Sequence, residues 1–428
     1  MKEPKTIVHI NKYEFVECLL LTIYAIFGTD ALVSKNNINS AAYVSVFVTL
    51  VTAGFFLINF KFVSKTKLLI FSIMCVIVLI SGLKNEDLGY GYVLIYCVFL
   101  FAFLLSEIVK FEIFVDIFTR IISIIAIASL VLFFFSSIFI RITPGFLTYT
   151  NTSGYTFITL WISNINEIDP QRNYGAFWEP GAFQMYLNTA LMIELFFRRK
   201  KIRKSIVIIL VAAIITTYST TGYLVAGLFL LIFVFSKWNK YSENTRRIVI
   251  TSTVIAVLGI SSVWALFGNT ITNSITSTTP VVGKFFYSTS DKNDSVQNRL
   301  NSSINDVYVL LENPLTGAGR TNAYISATNI GTASNLEFVH NTSTLFLQGA
   351  TFGIIFMLIF VIQLYKLFFK FINSKVLVFF LFISYIIMMF TEDFTGSLLL
   401  YVLFFYSFGN AKDEFYLPQK TESANDVA

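Results

Sequence analysis

Residues 121–140 read IISIIAIASLVLFFFSSIFI and include no charged side chain. About 20 consecutive apolar residues are enough to cross the hydrocarbon core of a bilayer as an α-helix. Comparable runs recur along most of the chain, and they are continuous rather than alternating, which disfavours a transmembrane β-barrel. We therefore predict an all-α, polytopic membrane protein.

The composition of the 428-residue chain supports this interpretation. Its residues are 55% hydrophobic and 17% aromatic, and only 13% are charged. A soluble domain carries about 25% charged residues, because its surface must be solvated. These proportions exclude a soluble enzyme, a disordered chain and a secreted disulfide scaffold.

The apolar runs predict about twelve transmembrane helices in one integral membrane domain over residues 1–428. The predicted spans are 15–33, 41–60, 68–83, 90–106, 121–140, 181–197, 205–218, 221–235, 248–267, 343–365, 376–390 and 397–410. A tight turn at 218–221 joins the two short spans on either side of it. No cleavable signal peptide is evident, so the first span is expected to stay as an anchor.

The distribution of Lys and Arg orients these spans. With the N-terminus in the cytoplasm, 23 of the 31 basic residues fall in cytoplasmic segments, among them the patch 198–204 and the tail 411–428. We interpret the patch as an orientation signal against anionic lipid. The eight basic residues on the outer side are Lys35, Lys84, Arg141, Arg172, Lys284, Lys292, Arg299 and Arg320. Both termini are then predicted to be cytoplasmic.

Two connections are much longer than the rest, and both are predicted to face outward. They cover residues 141–180 and 268–342. Long ordered loops usually carry function. The alternative is a flexible extracellular tether.

The first long loop ends in RNYGAFWEPG, residues 172–181. Its aromatic residues are typical of anchors at a membrane interface, and Pro180-Gly181 predicts a fixed turn into the next span. Arg172 and Glu179 admit two interpretations. Either they form a structural ion pair with each other, or Arg172 faces an anionic headgroup and Glu179 lies near a reacting hydroxyl.

The second long loop contains an amphipathic stretch that Asp294 or Ser295 would cap. Its apolar residues have helical spacing and are Val296, Leu300, Ile304, Val307, Tyr308 and Leu311. Such a helix could lie on the outer leaflet and hold Arg299 at the depth of the phosphates. The alternative is a surface helix with a solvated arginine. Asn313-Pro314 ends the helix, and Gly317 and Gly319 predict a flexible turn after it.

His340 precedes the span at 343, and the only other histidine is His9 in the leader. An unperturbed pKa near 6.5 suits a histidine to proton transfer, although a lone histidine is more often structural. The outer carboxylates in these loops do not suggest a metal site or an acid pair. Arginines bind phosphate by bidentate bonds, so a lipid-linked diphosphate is the predicted substrate. No P-loop or dinucleotide motif favours ATP or a nucleotide sugar.

These residues resemble a known pattern. The run Arg172-x-x-Gly175-x-Phe177-x-Glu179-Pro180-Gly181 is similar to a segment of the O-antigen polymerase/ligase superfamily. So is the order of Arg299, Asn313-Pro314-Leu315-x-Gly317-x-Gly319, His340-Asn341 and Gly349-x-x-x-Gly353. The resemblance covers roughly residues 170–365. An arginine separated from a glycine by ten intervening residues, often written for the polymerases, is absent, because Phe183 and Leu310 stand where the glycines would be.

The resemblance implies a Wzy-type polysaccharide polymerase with a C-type glycosyltransferase architecture in the bacterial cytoplasmic membrane. Such an enzyme takes an undecaprenyl-diphosphate-linked oligosaccharide as donor and needs neither a metal nor a cofactor. Arg172 and Arg299, with Arg320 as a weaker third, would bind the diphosphate. His340 would be the base, and Glu179 would lie at the catalytic centre.

Three alternatives stay open. An O-antigen ligase would use the same donor and differ in its acceptor. A lipid-linked oligosaccharide flippase or another transporter would place ionisable groups within its spans. A structural subunit of the assembly complex is the third. The expected partners are the lipid-linked substrate, membrane lipids and a polysaccharide chain-length regulator, and no nucleic acid.

Overall fold

The computed structural model describes most of the chain. The described residues are 12–36, 38–58, 63–142, 147–151, 154–160, 162–198, 201–238, 242–244, 246–247, 251, 295–338 and 341–408. The predicted span 248–267, apart from residue 251, and the predicted tail 411–428 lie outside them.

The first part of the described chain is a series of helices followed by a small sheet. The helices are α1 (Lys12–Phe27), α2 (Leu32–Asn36), α3 (Ile38–Ile58), α4 (Lys65–Lys84), α5 (Tyr90–Ile108), α6 (Phe111–Phe134) and α7 (Ser136–Ile142). The strands are β1 (Thr148–Thr150), β2 (Thr156–Thr159) and β3 (Asn164–Asn166).

The second part is helical throughout its regular elements. These are α8 (Pro180–Met192) with a π-helical turn (Ile193–Phe197), α9 (Lys204–Thr216), α10 (Thr220–Ser236), α11 (Ser295–Glu312), α12 (Arg320–Ala333), α13 (Thr344–Phe352), α14 (Ile354–Phe371), α15 (Lys375–Met389) and α16 (Leu398–Tyr406).

The apolar helices support a membrane protein. In the described residues, α4, α5, α6 and α14 are long and apolar enough to cross a bilayer by length and composition. Helices α9, α10 and α15 are apolar but shorter. The turn predicted between 218 and 221 is confirmed, since α9 ends at Thr216 and α10 begins at Thr220 with Ser219 accepting a hydrogen bond from the Gly222 amide. The count of twelve spans stays a prediction.

Two predicted spans have different boundaries in the structure. The span predicted at about 121–140 overlaps α6, but its bounds are wrong, because α6 begins at Phe111 and ends at Phe134. The helix tolerates charge in its first half because Asp116 accepts a hydrogen bond from Arg120 one turn later, at 2.9 Å. The span predicted at 343–365 is broken at Gly353, which has a φ of 90° and separates α13 from α14.

The first long loop contains a small β-sheet, which the all-α prediction for the fold did not include. Its three strands form an antiparallel sheet in the order β1-β2-β3. The strands are rich in threonine, isoleucine and aromatic residues, which favour extended backbone. The amide of Asn164 in β3 donates to the carbonyl of Gly175 at 2.7 Å, so the sheet holds the RNYGAFWEPG run in place.

Segments predicted to lie on the same side of the membrane contact one another. On the predicted outer side, the Thr321 amide donates to Asp87 at 2.6 Å. On the predicted inner side, Lys67 pairs with Glu107 at 2.8 Å. These contacts agree with the alternation of Lys and Arg along the chain.

The basic patch at 198–204 also has a structural role. The carboxylate of Glu194 is fully buried and pairs with Arg198 at 2.5 Å and with Arg203 at 2.6 Å. Asp116 on α6 pairs with both arginines, at 3.3 and 3.0 Å. A buried carboxylate needs such partners, because its desolvation is costly. The patch therefore ties α6 to the segment after α8, beyond its predicted role in orientation.

Candidate functional site

The turn between α9 and α10 brings the two long loops together. Nε of Arg172 donates to the Thr217 carbonyl at 3.2 Å, and Nη1 of Arg299 donates to Oγ1 of Thr221 at 3.2 Å. The side chains of Arg172 and Arg299 are 19% and 24% exposed. Both guanidinium groups are therefore fixed by the protein and still reachable by a ligand.

Glu392 completes this group and was not predicted from the sequence. It lies in the connection between α15 and α16, and its side chain is only 4% exposed. Oε1 of Glu392 accepts a hydrogen bond from Nη2 of Arg299 at 3.1 Å. The same oxygen lies so close to Gly181 that a methyl group there would overlap it. Gly181 thus gives the carboxylate room at the first turn of α8, where a helix favours negative charge.

Glu179 and Glu392 form a hydrogen-bonded carboxyl pair. Burial, and after it the neighbouring Glu179, raise the pKa of Glu392 well above its ordinary value, while Arg299 and Arg172 lower it in part. Two carboxyl groups in contact hold one proton between them, since both cannot ionise cheaply. The sequence suggested no acid pair, because these two residues belong to distant parts of the chain.

The connection that carries Glu392 is anchored at several points. Oγ1 of Thr344 donates to the Glu392 carbonyl at 2.5 Å and accepts from the Phe394 amide at 3.0 Å. The neighbouring Asp393 pairs with Lys35 at 3.3 Å. Desolvation raises the pKa of Asp393, but Lys35 and hydrogen bonds from Thr395 outweigh it and lower that pKa below its ordinary value. Asp393 is therefore ionised at neutral pH.

The site brings together two arginines and two carboxyl groups. Each arginine carries one positive charge, and a carboxyl pair that shares a proton carries only one negative charge. An anion with several oxygens, such as a diphosphate, suits such a site, because a guanidinium donates two parallel hydrogen bonds. The arrangement can bind a phosphate group beside a carboxyl pair able to hold or move a proton.

The amphipathic helix predicted in the second long loop is confirmed as α11. Its sequence pattern did not predict which of its faces packs against the rest of the protein. Its polar face is buried, with Ser302 and Asp306 fully covered. Its apolar face is open, and Leu300 and Leu311 are 54% and 67% exposed. An open apolar face agrees with the prediction that this helix lies on the outer leaflet, and that location stays a prediction. Arg299 lies at the border between the two faces.

The carboxylate of Asp306 is buried without a hydrogen-bond donor in the described part of the chain. Burial, and then the charge on Asp393, raise the pKa of Asp306 well above its ordinary 3.8. A carboxyl group whose folded pKa is raised contributes most to stability below its unfolded pKa. That contribution is lost as the pH rises through the folded value.

We expect Asp306→Asn to raise the thermal unfolding temperature by a few degrees near pH 7.5, because an amide is cheaper to bury than a carboxylate. This increase in the unfolding temperature should become smaller as the pH falls toward about 4. Thermal unfolding of purified protein at both pH values measures it. Glu312→Gln is the control, because Glu312 is exposed on the same helix. A lower unfolding temperature for Asp306→Asn at pH 7.5 would contradict this expectation.

The turn after α11 is fixed rather than flexible, which corrects the sequence prediction. Gly317 and Gly353 both have positive φ, at 64° and 90°. The amide of Ala318 donates to the Ala350 carbonyl at 2.8 Å, and the amide of Ile354 donates to the Pro314 carbonyl at 2.8 Å. The turn is thereby docked against the break between α13 and α14, and it fixes the end of α11.

Arg320 is the first residue of α12, and it contacts the start of α5. Its Nη1 donates to the Gly91 carbonyl at 2.6 Å, and its amide donates to the Tyr92 hydroxyl at 3.3 Å. It also contributes to lowering the pKa of Asp393. Binding of a diphosphate by Arg320 stays a prediction.

His340 lies outside the described residues, and its predicted role as the base is untested. Its neighbour Asn341 accepts a hydrogen bond from the Ser302 hydroxyl at 3.3 Å. Ser302 follows Arg299 by less than one turn of α11. In the described residues, no group of three or more His, Cys, Asp or Glu side chains could hold a metal ion.

Together the fold and the site define an integral membrane protein with a cationic, carboxyl-lined site between its two long loops. Residues 205–361 match the family model described as O-antigen ligase, and this stretch includes Arg299, Arg320 and His340. This match supports the resemblance of the chain to the O-antigen polymerase/ligase superfamily. Members of this family are glycosyltransferase-like enzymes that act on polysaccharides. A comparison with curated proteins gives no match.

The structure adds residues that the matched stretch does not contain. Arg172, Glu179 and Glu392 all lie outside residues 205–361. Glu392 nevertheless contacts Arg299 and pairs with Glu179, and the nearby charge of Arg172 lowers the pKa of Glu392 in part. Lys35, one of the eight basic residues predicted on the outer side, is also close, at 3.3 Å from Asp393, although no motif in the sequence singled it out.

Proposed function

We propose that this protein is a polysaccharide polymerase that transfers a glycan from undecaprenyl diphosphate to the acceptor sugar of another lipid-linked repeat unit. The reaction takes place at the outer face of the bacterial cytoplasmic membrane. The observation that carries the proposal is the meeting of Arg172 and Arg299, from two separate loops, beside the Glu179–Glu392 pair. The family match supports the same class of substrate.

In the proposed reaction, an acceptor hydroxyl oxygen bonds to the anomeric carbon of the donor. The bond from that carbon to the diphosphate oxygen breaks, and the lipid diphosphate leaves with the electron pair. The hydroxyl proton passes to His340. Arg172 and Arg299 neutralise the charge that grows on the leaving diphosphate, and Glu179 orients the reacting hydroxyl. No metal takes part in this proposal.

A ligase is the second candidate, because the matched family model is described as O-antigen ligase. It would use the same donor and the same arginines, with a different acceptor. A chain-length regulator is a proposed partner of the polymerase only.

The test uses purified protein in lipid vesicles with the lipid-linked repeat units that accumulate in cells lacking this gene. A polymerase produces a ladder of products without a further acceptor, and the ladder should persist in EDTA. A ligase produces one transfer only when a lipid A core is added. Movement of the substrate across the vesicle without any product would overturn both and indicate a flippase.

We expect His340→Ala to slow chain extension by about 10²–10⁴-fold, the usual contribution of a general base. The matched control is His9→Ala, which removes the other histidine, in the predicted cytoplasmic leader. Both variants are compared by the rate at which the ladder lengthens. A His340→Ala protein that extends chains at the wild-type rate would remove this residue from the mechanism.

A further inference from the structure

A second set of polar and aromatic side chains lies beside the arginine and carboxyl group. Trp178 donates from Nε1 to Oε1 of Glu179 at 2.9 Å. Nζ of Lys35 lies 4.8 Å from the centre of the Trp178 ring. Lys35 pairs in turn with Asp393. The proposed mechanism gives no role to Trp178, Lys35 or Asp393.

These contacts form a continuous path away from Arg299. The path runs from Arg299 to Glu392 at 3.1 Å, from Glu392 to Glu179 through their shared hydrogen bond, and from Glu179 to Trp178. A substrate whose diphosphate binds at Arg299 would therefore extend its sugars past the carboxyl pair and toward the indole ring of Trp178.

The far end of this path is accessible. The side chains of Lys35 and Asp393 are 31% and 33% exposed, and Trp178 is partly exposed. The Phe394 ring lies 5.6 Å from the Trp178 ring and steadies it. A fixed aromatic surface flanked by one charged donor and one charged acceptor remains within reach of a ligand.

We propose that Trp178, Lys35 and Asp393 form a carbohydrate-binding subsite for a sugar residue of the lipid-linked substrate. A sugar ring presents C–H groups on its face and hydroxyl groups around its edge. The indole would contact the face, Lys35 would donate to a hydroxyl oxygen, and Asp393 would accept from a hydroxyl group. Few, well-placed polar groups beside an aromatic surface are typical of small-ligand sites. This inference rests on the proposed function.

The test compares the binding of two probes to wild-type protein. One is undecaprenyl diphosphate, and the other is the lipid-linked repeat unit isolated from cells lacking this gene. We expect the sugar-bearing probe to bind more tightly, and we expect Trp178→Ala to weaken its binding about tenfold. Binding of undecaprenyl diphosphate should be unchanged, because Arg172 and Arg299 are untouched.

Tryptophan fluorescence gives a second readout in a conservative variant. The repeat unit should change the emission of wild-type protein, and Trp178→Phe should abolish that change. Trp238→Phe is the matched control and should retain it, because Trp238 follows α10 on the predicted cytoplasmic side. Lys35→Met should weaken the binding of the sugar-bearing probe without unfolding the protein, since methionine nearly keeps the length of the side chain.

The binding results distinguish the carbohydrate subsite from the proposed function. If both probes bind wild-type protein with equal affinity, the carbohydrate subsite is overturned and the diphosphate site is not. The same conclusion follows if Trp178→Ala weakens the binding of both probes equally. Failure of the wild-type protein to bind either probe would overturn the proposed function, and the subsite with it. Weaker binding of the sugar-bearing probe alone in Trp178→Ala supports the subsite.

Discussion

Replacing Arg299 by alanine is expected to slow chain extension by at least about a hundredfold. A preorganised donor aimed at developing negative charge contributes about 10²–10³ to the rate, and Arg299 is such a donor in the proposed reaction. Its guanidinium is held by two hydrogen bonds that it donates, one to Thr221 and one to Glu392. The rate of ladder formation in vesicles measures the effect.

Arg299→Ala can lose activity either because the reaction is slower or because the protein unfolds, and a second variant separates the two causes. Arg299→Ala removes a hydrogen-bond donor and a positive charge from the buried Glu179–Glu392 pair, and buried polar groups that lose such a partner destabilise a protein. The double variant Arg299→Ala with Glu392→Gln replaces the carboxyl group that Arg299 contacts by a neutral amide. We expect it to melt close to the wild-type temperature and to remain inactive.

Arg299→Lys tests the geometry of the same site. Lysine keeps the positive charge but loses the planar fork that binds a phosphate by two parallel bonds. We expect activity between that of the wild type and that of Arg299→Ala. Wild-type rates in a stable double variant would show that Arg299 does not act on the leaving group.

Replacing Gly353 by alanine is expected to prevent the protein from folding. Gly353 has a φ of 90°, where an L side chain is strained by about 1–3 kcal/mol. A methyl group there would also overlap the carbonyl of Leu315. The backbone has little freedom to move aside, because the Ile354 amide donates to the Pro314 carbonyl at 2.8 Å. The two effects together are expected to cost about 3 kcal/mol or more.

Size-exclusion chromatography of fluorescently tagged protein in detergent measures this outcome. Gly353→Ala should give little monodisperse protein. Gly54→Ala is the control, because a methyl group at Gly54 in α3 meets no atom within 4 Å and alanine favours helix. A Gly353→Ala protein that elutes and melts like the Gly54→Ala control would mean that the docked turn does not constrain the fold.

Much of the architecture could be predicted because lipid imposes a simple rule. A backbone without water must satisfy its own hydrogen bonds, so a long apolar run becomes a helix. The turn at 218–221 and helix α11 followed from local signals in the same way. The spans at 121–140 and 343–365 were less accurate, because hydropathy does not register an ion pair such as Asp116–Arg120 or the backbone contact that breaks the helix at Gly353.

Only part of the candidate site could be predicted from the sequence. Arg172, Arg299 and Glu179 stand in motifs, and their residue types suggested phosphate chemistry. Glu392 stands in a short connection with no motif around it, and its importance comes from its contact with Arg299. The sequence predicts Gly181 as part of a turn, whereas in the structure its absent side chain leaves room for the Glu392 carboxylate.

The sequence by itself determined that this chain is a helical membrane protein with few charges, and it placed the cations that matter in two long loops. Composition and local spacing are enough for those conclusions, because solvation acts on each segment separately. Only the tertiary structure decided that Glu179 meets Glu392 and that Trp178, Lys35 and Asp393 lie beside them. Those pairings join distant parts of the chain, and no local pattern encodes a contact that depends on how all the helices pack.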